Sequence, residues 1–253
     1  MIKWKLMLTS IPYMAVVIGL NYILGNVFAF EGIIEFADVG LVLTGGIFLI
    51  GFMLAGTMSD YKESEKLPAE LACTLEALEE TMVAASISKP DLDEKKMKSS
   101  LFEITSDIYS WLYKKVSYEQ MFYSLSKLQS TISHIEKLGA TSYATRMLGE
   151  LNTLRKIITR IGVISRTNFL STGYALLEVL ISAIIILLLI SKFKSVLAEY
   201  ILIGFVTLIY VYMYRLIQDI DDPFEYSESG SPGASEVPLF PLEEYKERAK
   251  SRL

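Results

Sequence analysis

One stretch constrains the fold of this chain more than any other. Between Val39 and Leu71 a long apolar segment passes into charged residues, and no turn signal separates Gly40 from Lys66. About 20 apolar residues are enough for a helix to cross the hydrocarbon core of a bilayer. The stretch therefore predicts one helix that leaves the membrane and continues into water.

The apolar half of this stretch carries a regular pattern. Thr44, Phe48 and Phe52 recur every four residues and so share one face of a helix. Small residues elsewhere on the helix, which allow neighbouring helices to approach closely, are Gly45, Gly46, Gly51 and Gly56. The spacing alone is more typical of side chains that pack or face lipid than of a pore.

The rest of the chain is apolar enough to make this a membrane protein with several spans. Of its 253 residues 52% are hydrophobic, and further apolar segments run from Leu6 to Leu24, from Thr172 to Ile190 and from Leu197 to Tyr214. We predict an all-α fold with four transmembrane helices. Helices 1 and 2 lie in residues 1–58, a cytoplasmic helical domain in 59–168, helices 3 and 4 in 169–216, and a C-terminal strap in 217–253.

The first apolar segment has an alternative interpretation. Small residues near Ala29 could mark the cleavage site of a signal peptide, although the apolar run is longer than such peptides usually carry and a second span follows closely. As a membrane helix, the segment holds Pro12, a candidate kink, and Asn21, which we expect to hydrogen-bond to a neighbouring helix.

The charges of the loops predict the orientation of the chain. The connection from Gly25 to Asp38 carries Glu31, Glu35 and Asp38 and no basic residue, whereas the termini and the long middle region are rich in Lys and Arg. By the positive-inside rule this connection is external and both termini are cytoplasmic, with the chain in the cell membrane. Two lysines between the last two spans, Lys192 and Lys194, count against this orientation.

The region between the second and third spans predicts a helical bundle. An apolar line at helical spacing comprises Leu67, Leu71, Leu75, Leu78 and Met82. The turn from Lys89 to Asp93 ends this helix, and its acidic residues can cap the next one. Amphipathic helices follow over residues 101–111, 118–138 and 143–164. After the last span, the Ser-, Pro- and Gly-rich residues 227–241 predict an extended strap.

Two groups of acids are candidate ion-binding residues. Glu178 lies inside the third span, where an ionisable group is a functional candidate, although a hydrogen bond to a Ser, Thr or Asn on a neighbouring helix explains it equally well. Asp219 and Asp222, beyond the last span, are weak candidates for a hard cation, since acids at this position also cap or solvate a helix end.

Several classes of function are disfavoured by composition. A net charge of -5 gives no broad basic surface for nucleic acid. Cys73 is the only cysteine and His134 the only histidine, which argues against a disulfide, a histidine-rich metal site and a His-dependent triad. No phosphate loop or nucleophile elbow is present, so we expect no enzyme and no cofactor.

Three short motifs lie next to the membrane segments. Gly51-Phe52 followed by ESEKL at Glu63–Leu67 and Glu70-Leu71 is similar to the end of the second transmembrane helix of bacterial bestrophins. The segment LGELNTLR at Leu148–Arg155 resembles the one before the third membrane helix of animal members. The segment DIDDPFE at Asp219–Glu225 resembles the one after the last helix in bacterial members. The acidic run that forms a calcium clasp in animal bestrophins is largely absent after this last motif.

This resemblance implies a function and roles for particular residues. Known bestrophins are pentameric ion channels, so the resemblance implies a homopentamer in the lipid bilayer that conducts small inorganic ions. Thr44, Phe48 and Phe52 match the positions of its hydrophobic neck, and Ser142 with Tyr143 lies near its cytoplasmic aperture. We expect Asn152 and Arg155 of the LNTLR motif to hold the helices beneath the membrane rather than to touch ions.

The ion and the class of function have open alternatives. Glu31, Glu35 and Asp38 around an outer mouth would favour a monovalent cation slightly over an anion. The alternative function is a non-conducting membrane scaffold or sensor whose bundle binds a partner. A transporter is less consistent with the sequence, since broken membrane helices and repeated halves are not evident.

Overall fold

A computed structural model describes residues 4–167, 171–226 and 235–253. The described residues form the helices α1 (Lys5–Asn26), α2 (Phe36–Ser64), α3 (Leu67–Ser88), α4 (Glu94–Leu112), α5 (Tyr118–Lys137), α6 (Thr141–Ile164), α7 (Ser171–Leu189), α8 (Val196–Asp221) and α9 (Phe240–Ser251). Two short strands are β1 (Ile34–Glu35) and β2 (Ser191–Lys192). The chain divides into two compact units. The first, here called the membrane unit, contains α1, α2 as far as Tyr61, α7 and α8, and it ends at Asp222. The second, here called the bundle, runs from Lys62 to Thr167 and continues from Pro223 through α9.

The membrane unit contains the four predicted spans. Among the described residues, four helices are long and apolar enough to cross a membrane, and they coincide with the apolar segments seen in the sequence. The prediction of an all-α, multi-pass membrane protein is therefore confirmed. Helix α7 agrees with its apolar segment to within one residue at each end, whereas α8 continues beyond its segment as far as Asp221.

Close approach of backbones and buried polar contacts hold this unit together. Helix α1 packs along α8, and the Asn21 side-chain amide donates to the Glu199 carboxylate at 2.8 Å, which is the expected bond to a neighbouring helix. The parallel pairing of β1 with β2, in which Ile34 lies opposite Ser191, was not predicted from the sequence. It depends on Gly32, where a Cβ would lie 2.4 Å from the Ser191 carbonyl oxygen.

The helix predicted to run unbroken from the membrane into water is interrupted. Helix α2 ends at Ser64, a turn occupies Glu65 and Lys66, and α3 begins at Leu67. Pro68 lies in the first turn of α3, where its missing N–H costs nothing but where it prevents continuation of the preceding helix. The prediction of one continuous helix was therefore confirmed as far as Ser64 and wrong from Glu65 onward.

The bundle confirms the other helices predicted from the middle region. All five members of the apolar line that begins at Leu67 are buried, and α3 packs on α6 and α4, while α5 packs on α4 and α6. The Asp93 side chain caps α4 by accepting from the Lys96 amide at 3.0 Å. Ser117 caps α5 in the same way through the Gln120 amide. Lys114 and Gly139, near which the sequence predicted breaks, have positive φ angles.

The C-terminal region, residues 217–253, ends in a helix that the sequence analysis did not predict. Residues 227–234 of the predicted strap lie outside the described ranges, residues 235–239 are non-helical, and α9 follows. Leu242 and Tyr245 of α9 are buried against α3 and α4. Pro241, the last residue of the Ser-, Pro- and Gly-rich run, lies in the first turn of α9, where proline is tolerated.

Charged contacts add to the docking of α9. Arg252 reaches the buried Glu79 carboxylate at 2.8 Å, and Arg248 reaches Glu76 at 3.2 Å. The Tyr245 hydroxyl donates to Glu79 at 3.2 Å. Burial, with the negative charge of Glu79 beside it, raises the pKa of Tyr245.

A candidate pore-lining face on helix α2

Helix α2 has one face packed against the membrane unit and one face that is exposed. The residues of its packed face are buried: Val39, Gly46, Ile50, Met53 and Thr57. Leu41, Phe48 and Phe52 of the other face are 85%, 78% and 63% exposed. Large apolar side chains of α2 therefore project away from the helices of the membrane unit on which α2 packs.

The exposed face forms a straighter line than the sequence pattern suggested. At about 100° per residue, Leu41, Phe48, Phe52 and Ser59 fall within about 20° of one line along the helix, on the side opposite Gly46. Thr44 is also exposed but lies about 60° from the centre of this line. Its hydroxyl donates to the Gly40 carbonyl at 2.9 Å. Leu41 was not singled out from the sequence, because the pattern followed was a spacing of four.

The packed face of α2 has a specific contact with α8. Tyr210 of α8 is 2% exposed, and its hydroxyl donates to the Leu43 carbonyl at 2.5 Å. The ring lies over Gly46, together with the side chain of Ile184 from α7. The position of α2 against α7 and α8 is thus fixed by a glycine and a buried phenol.

The three outer acids occupy different places. Asp38 lies exposed in the first turn of α2, within about 60° of the line through Leu41 and Phe48. Glu35 is in β1, opposite Lys192. Glu31 lines a pocket of about 220 Å³ that also includes Asn21, Glu199 and Lys192. Glu199 was overlooked in the sequence because it lies near the start of a span.

Ser142 and Tyr143, the residues implied for the cytoplasmic aperture, lie at the start of α6. Ser142 is exposed and Tyr143 is half-buried. Gly139, just before this helix, has a φ of +81° and turns the chain between α5 and α6. The two residues therefore lie at one end of α6, in the bundle, while the apolar line of α2 belongs to the membrane unit.

The LNTLR and ESEKL motifs contribute to contacts within the bundle. Arg155 donates to the Gln129 side chain on α5 at 2.8 Å, which agrees with a role in holding helices together. Asn152 is exposed beside it. Glu63, at the end of α2, accepts two hydrogen bonds from Arg160, at 2.9 and 2.6 Å. The Arg160 hydrogen bonds lower the pKa of Glu63.

The intramembrane acid Glu178 has a partner on the neighbouring helix. It accepts a hydrogen bond of 2.5 Å from the Tyr214 hydroxyl of α8. Both line a cleft of about 350 Å³ with Tyr174, Asp221 and Asp222. This geometry agrees with the structural explanation of Glu178 given above, with tyrosine as the partner in place of Ser, Thr or Asn.

The weak metal candidates gain no support. Across the described ranges, no group of three or more His, Cys, Asp or Glu side chains is placed to hold a metal ion. Asp219 and Asp222 therefore have no third ligand of these types among those residues.

Comparison with known proteins identifies the fold. No protein-family model matches the chain, and no curated protein matches it. A crystal structure of a bacterial bestrophin homologue from Klebsiella pneumoniae has a TM-score of 0.76 at 13% identity, and the match covers 98% of this chain and 97% of that one. The chain has a bestrophin-like fold.

Variants of the Klebsiella pneumoniae bestrophin homologue give the same result. One point mutant has a TM-score of 0.75 at 13% identity, with 98% of both chains covered. Another has a TM-score of 0.76 at 13% identity, with 98% of this chain and 97% of that one covered. The bestrophin-like fold thus extends over both units and includes α9.

Proposed function

We propose that this chain is one subunit of a homopentameric ion channel whose neck is lined by α2. The single observation that carries the proposal is the exposed apolar line of Leu41, Phe48 and Phe52 on a helix whose other face is packed. The bestrophin-like fold supports it, because the family resemblance in the sequence implies a ring with the second helix at its centre.

Five copies of this line around one axis would form a hydrophobic constriction. An apolar pore that is narrow resists wetting, so ions pass only when the ring widens. Phe48 and Phe52 contribute two aromatic rings from each copy, and Leu41 adds an aliphatic ring on the Asp38 side. Thr44, which lies off the line, contributes less to this barrier than its place in the family motif implies.

In the same arrangement the three outer acids differ in how close they lie to the entrance of the pore. Asp38 is on α2 itself and near the neck line, so five copies would place five carboxylates at the entrance of the pore. Glu35 and Glu31 belong to the preceding connection and would act from farther away. We therefore propose a preference for small monovalent cations that depends chiefly on Asp38.

The remaining parts of the proposal follow the loop charges and the family motifs. The β1 side of the membrane unit is external, both termini are cytoplasmic, and the protein lies in the cell membrane. Ser142 and Tyr143 border a second aperture at the cytoplasmic end of the pathway. Because Ser142 is small and polar, this aperture presents little barrier to ions.

Flux through purified protein in liposomes tests the neck. We expect Phe48→Ala combined with Phe52→Ala to raise the resting flux of K⁺ at least several-fold, because two apolar rings are removed from the constriction. Phe205→Ala is the matched control, since Phe205 is a phenylalanine of α8 that is 64% exposed. It is predicted to face lipid and to leave the flux unchanged.

The outcome separates the proposed functions. The mass of the purified particle is measured first, and a ring of five copies is expected. A monomer or dimer that persists in lipid nanodiscs, or equal flux in the neck and control variants, would refute the channel. The non-conducting scaffold or sensor would then be the better explanation.

Reversal potentials in a gradient of KCl test the selectivity. Asp38→Asn is expected to shift the reversal potential toward the value for chloride more than Glu31→Gln does. An equal shift in both variants, or none in either, would contradict the special position of Asp38.

A further inference from the structure

The contact between α2 and α8 has an unusual composition. Tyr210 is almost completely buried, yet its hydroxyl finds a partner in a backbone carbonyl, that of Leu43, on a different helix. A carbonyl oxygen has two lone pairs, so it can accept from this phenol and from the helix at the same time. Tyr210 thereby attaches α8 to α2 without breaking either helix.

Gly46 makes this contact possible. A Cβ at this position would lie 2.7 Å from the Tyr210 hydroxyl oxygen, 2.8 Å from the Ile184 Cδ1 atom and 2.9 Å from a Tyr210 ring carbon. Such distances are too short for van der Waals contact. Tyr210 and Ile184 are 2% and 0% exposed, so both side chains are enclosed by other atoms of the protein. An added methyl group would therefore require a shift of these side chains or of α2.

The direction of that displacement is set by the helix. Gly46 lies about 140° around α2 from the line through Leu41, Phe48 and Phe52. A push at Gly46 thus moves the helix toward its exposed apolar side. In a ring with that side at the centre, the neck would become narrower.

We propose that Gly46 and Tyr210 are positioning residues that set the width of the neck. Gly46 determines how far α2 can lie back against α7 and α8, and the Tyr210 hydrogen bond holds it there. The five apolar lines attract one another across a narrow neck, and the Tyr210 contact opposes their collapse. This inference rests on the proposed channel function and adds a determinant of conductance outside the pore.

A pair of glycines on the same helix gives the first experiment. We expect Gly46→Ala to lower K⁺ flux in liposomes about tenfold, equivalent to about 1.4 kcal/mol. Gly40→Ala is the matched control, because a Cβ at Gly40 would meet no atom within 4 Å. Both changes raise helix propensity equally, so only Gly46→Ala adds a steric push.

The hydrogen bond is tested separately by a conservative change. Tyr210→Phe keeps the ring but removes the hydroxyl, and we expect a fall in flux of about threefold, in the range of one lost hydrogen bond. Tyr212→Phe, two residues along α8, is the control, and no change is expected there.

A rescue experiment distinguishes positioning from general damage. Tyr210→Phe with Ile184→Val removes the two atoms nearest to the added methyl group. Gly46→Ala should therefore reduce flux less in this background than in the wild type. The mass of the particle is measured in every variant, so a loss of assembly is recognised directly.

The possible failures are distinguishable. If the Phe48 and Phe52 variant behaves like its Phe205 control, the proposed channel is wrong. If that variant raises the flux but Gly46→Ala and Gly40→Ala do not differ, the channel stands and the positioning role is refuted. Equal effects of Gly46→Ala in the wild-type and rescue backgrounds would also refute it.

Discussion

In the bundle, Leu75, Leu128 and Ile135 are completely buried among other aliphatic side chains, and water around the unit drives that burial. In the membrane unit, the contacts that fix one helix against another include Tyr210 over Gly46 and Asn21 with Glu199. Lipid is as apolar as leucine, so apolar area alone cannot select one arrangement of helices there. In the membrane unit, close backbone approach and polar contacts select the arrangement of the helices instead.

Truncating a buried leucine in each unit gives the largest expected effect. Leu128→Ala in α5 should destabilise the bundle by about 2–5 kcal/mol, the usual cost of such a cavity. Leu188→Ala in α7 removes an equally buried side chain, but lipid replaces water as the solvent of its unfolded state, so the loss should be smaller. Hydrogen exchange of the full chain in nanodiscs, read separately for the two helices, measures both. Equal losses of stability in Leu128→Ala and Leu188→Ala would contradict the proposed difference between the bundle and the membrane unit.

Glycine at a close backbone contact should matter next. Gly32→Ala places a Cβ against the Ser191 carbonyl, and we expect a cost of about 1–3 kcal/mol, as for other overpacked sites. Gly25→Ala is the control, because no atom lies within 4 Å of its Cβ position. Faster amide exchange around β1 and β2 in the first variant alone would support this prediction. Similar exchange in both would show that the strand pairing tolerates a side chain.

The polar pair of the membrane unit should have an effect of about 1 kcal/mol, typical of hydrogen bonds between membrane helices. Asn21→Ala removes the donor to Glu199. Asn26→Ala removes an exposed asparagine that bonds only to the Tyr22 carbonyl of its own helix among the contacts described. The melting temperature of the full chain in detergent should fall more in the first variant. An equal fall would mean that the bond to Glu199 contributes nothing specific.

The smallest expected effect is the pH dependence of an exposed ion pair in the bundle. Arg160 lowers the pKa of Glu63 below its usual 4.5, so the pair stabilises the folded state above that pH. The contribution is lost as the pH falls through the lowered pKa. It should stay below about 1 kcal/mol, since both side chains are partly exposed.

Arg160→Gln checks this pH dependence. Melting of the variant should depend less on pH between neutral and acidic conditions than melting of the wild type does. Lys156→Gln, which removes a nearby charge from the same helix, should retain the wild-type dependence. A wild-type profile in Arg160→Gln would show that Glu63 has no such role.

The bundle was predictable because its signals are local and periodic. The line from Leu67 to Met82, the cap at Asp93 and the turn at Gly139 all lie within one helix or next to its end. The break before Pro68 was missed because Pro68 was not taken as a sign that a new helix starts there. Helix α9 was missed because the Ser-, Pro- and Gly-rich run before it is typical of an extended segment. The four spans were equally visible, because hydrocarbon thickness dictates their length.

Only part of the candidate site could be predicted from the sequence. Phe48 and Phe52 followed from spacing and resemblance, whereas Leu41 emerged once the exposed side of α2 was known. The contact of Tyr210 with Gly46 joins residues far apart in the chain, and each is unremarkable alone. Pairing of β1 with β2 was hidden for the same reason, since a single close approach leaves no period to detect.

Docking of α9 against α3 and α4 also has a consequence for biosynthesis. A ribosome makes α3 before α7 and α8, and it makes α9 after both. The surface of α3 and α4 that binds α9, here called the α9-binding surface, therefore lacks its partner while the last two spans are synthesised. Only when α9 emerges can Tyr245 and Arg252 reach the Glu79 carboxylate. The bundle can therefore be completed only after the membrane helices have been synthesised. Prematurely terminated chains would expose the α9-binding surface to proteases.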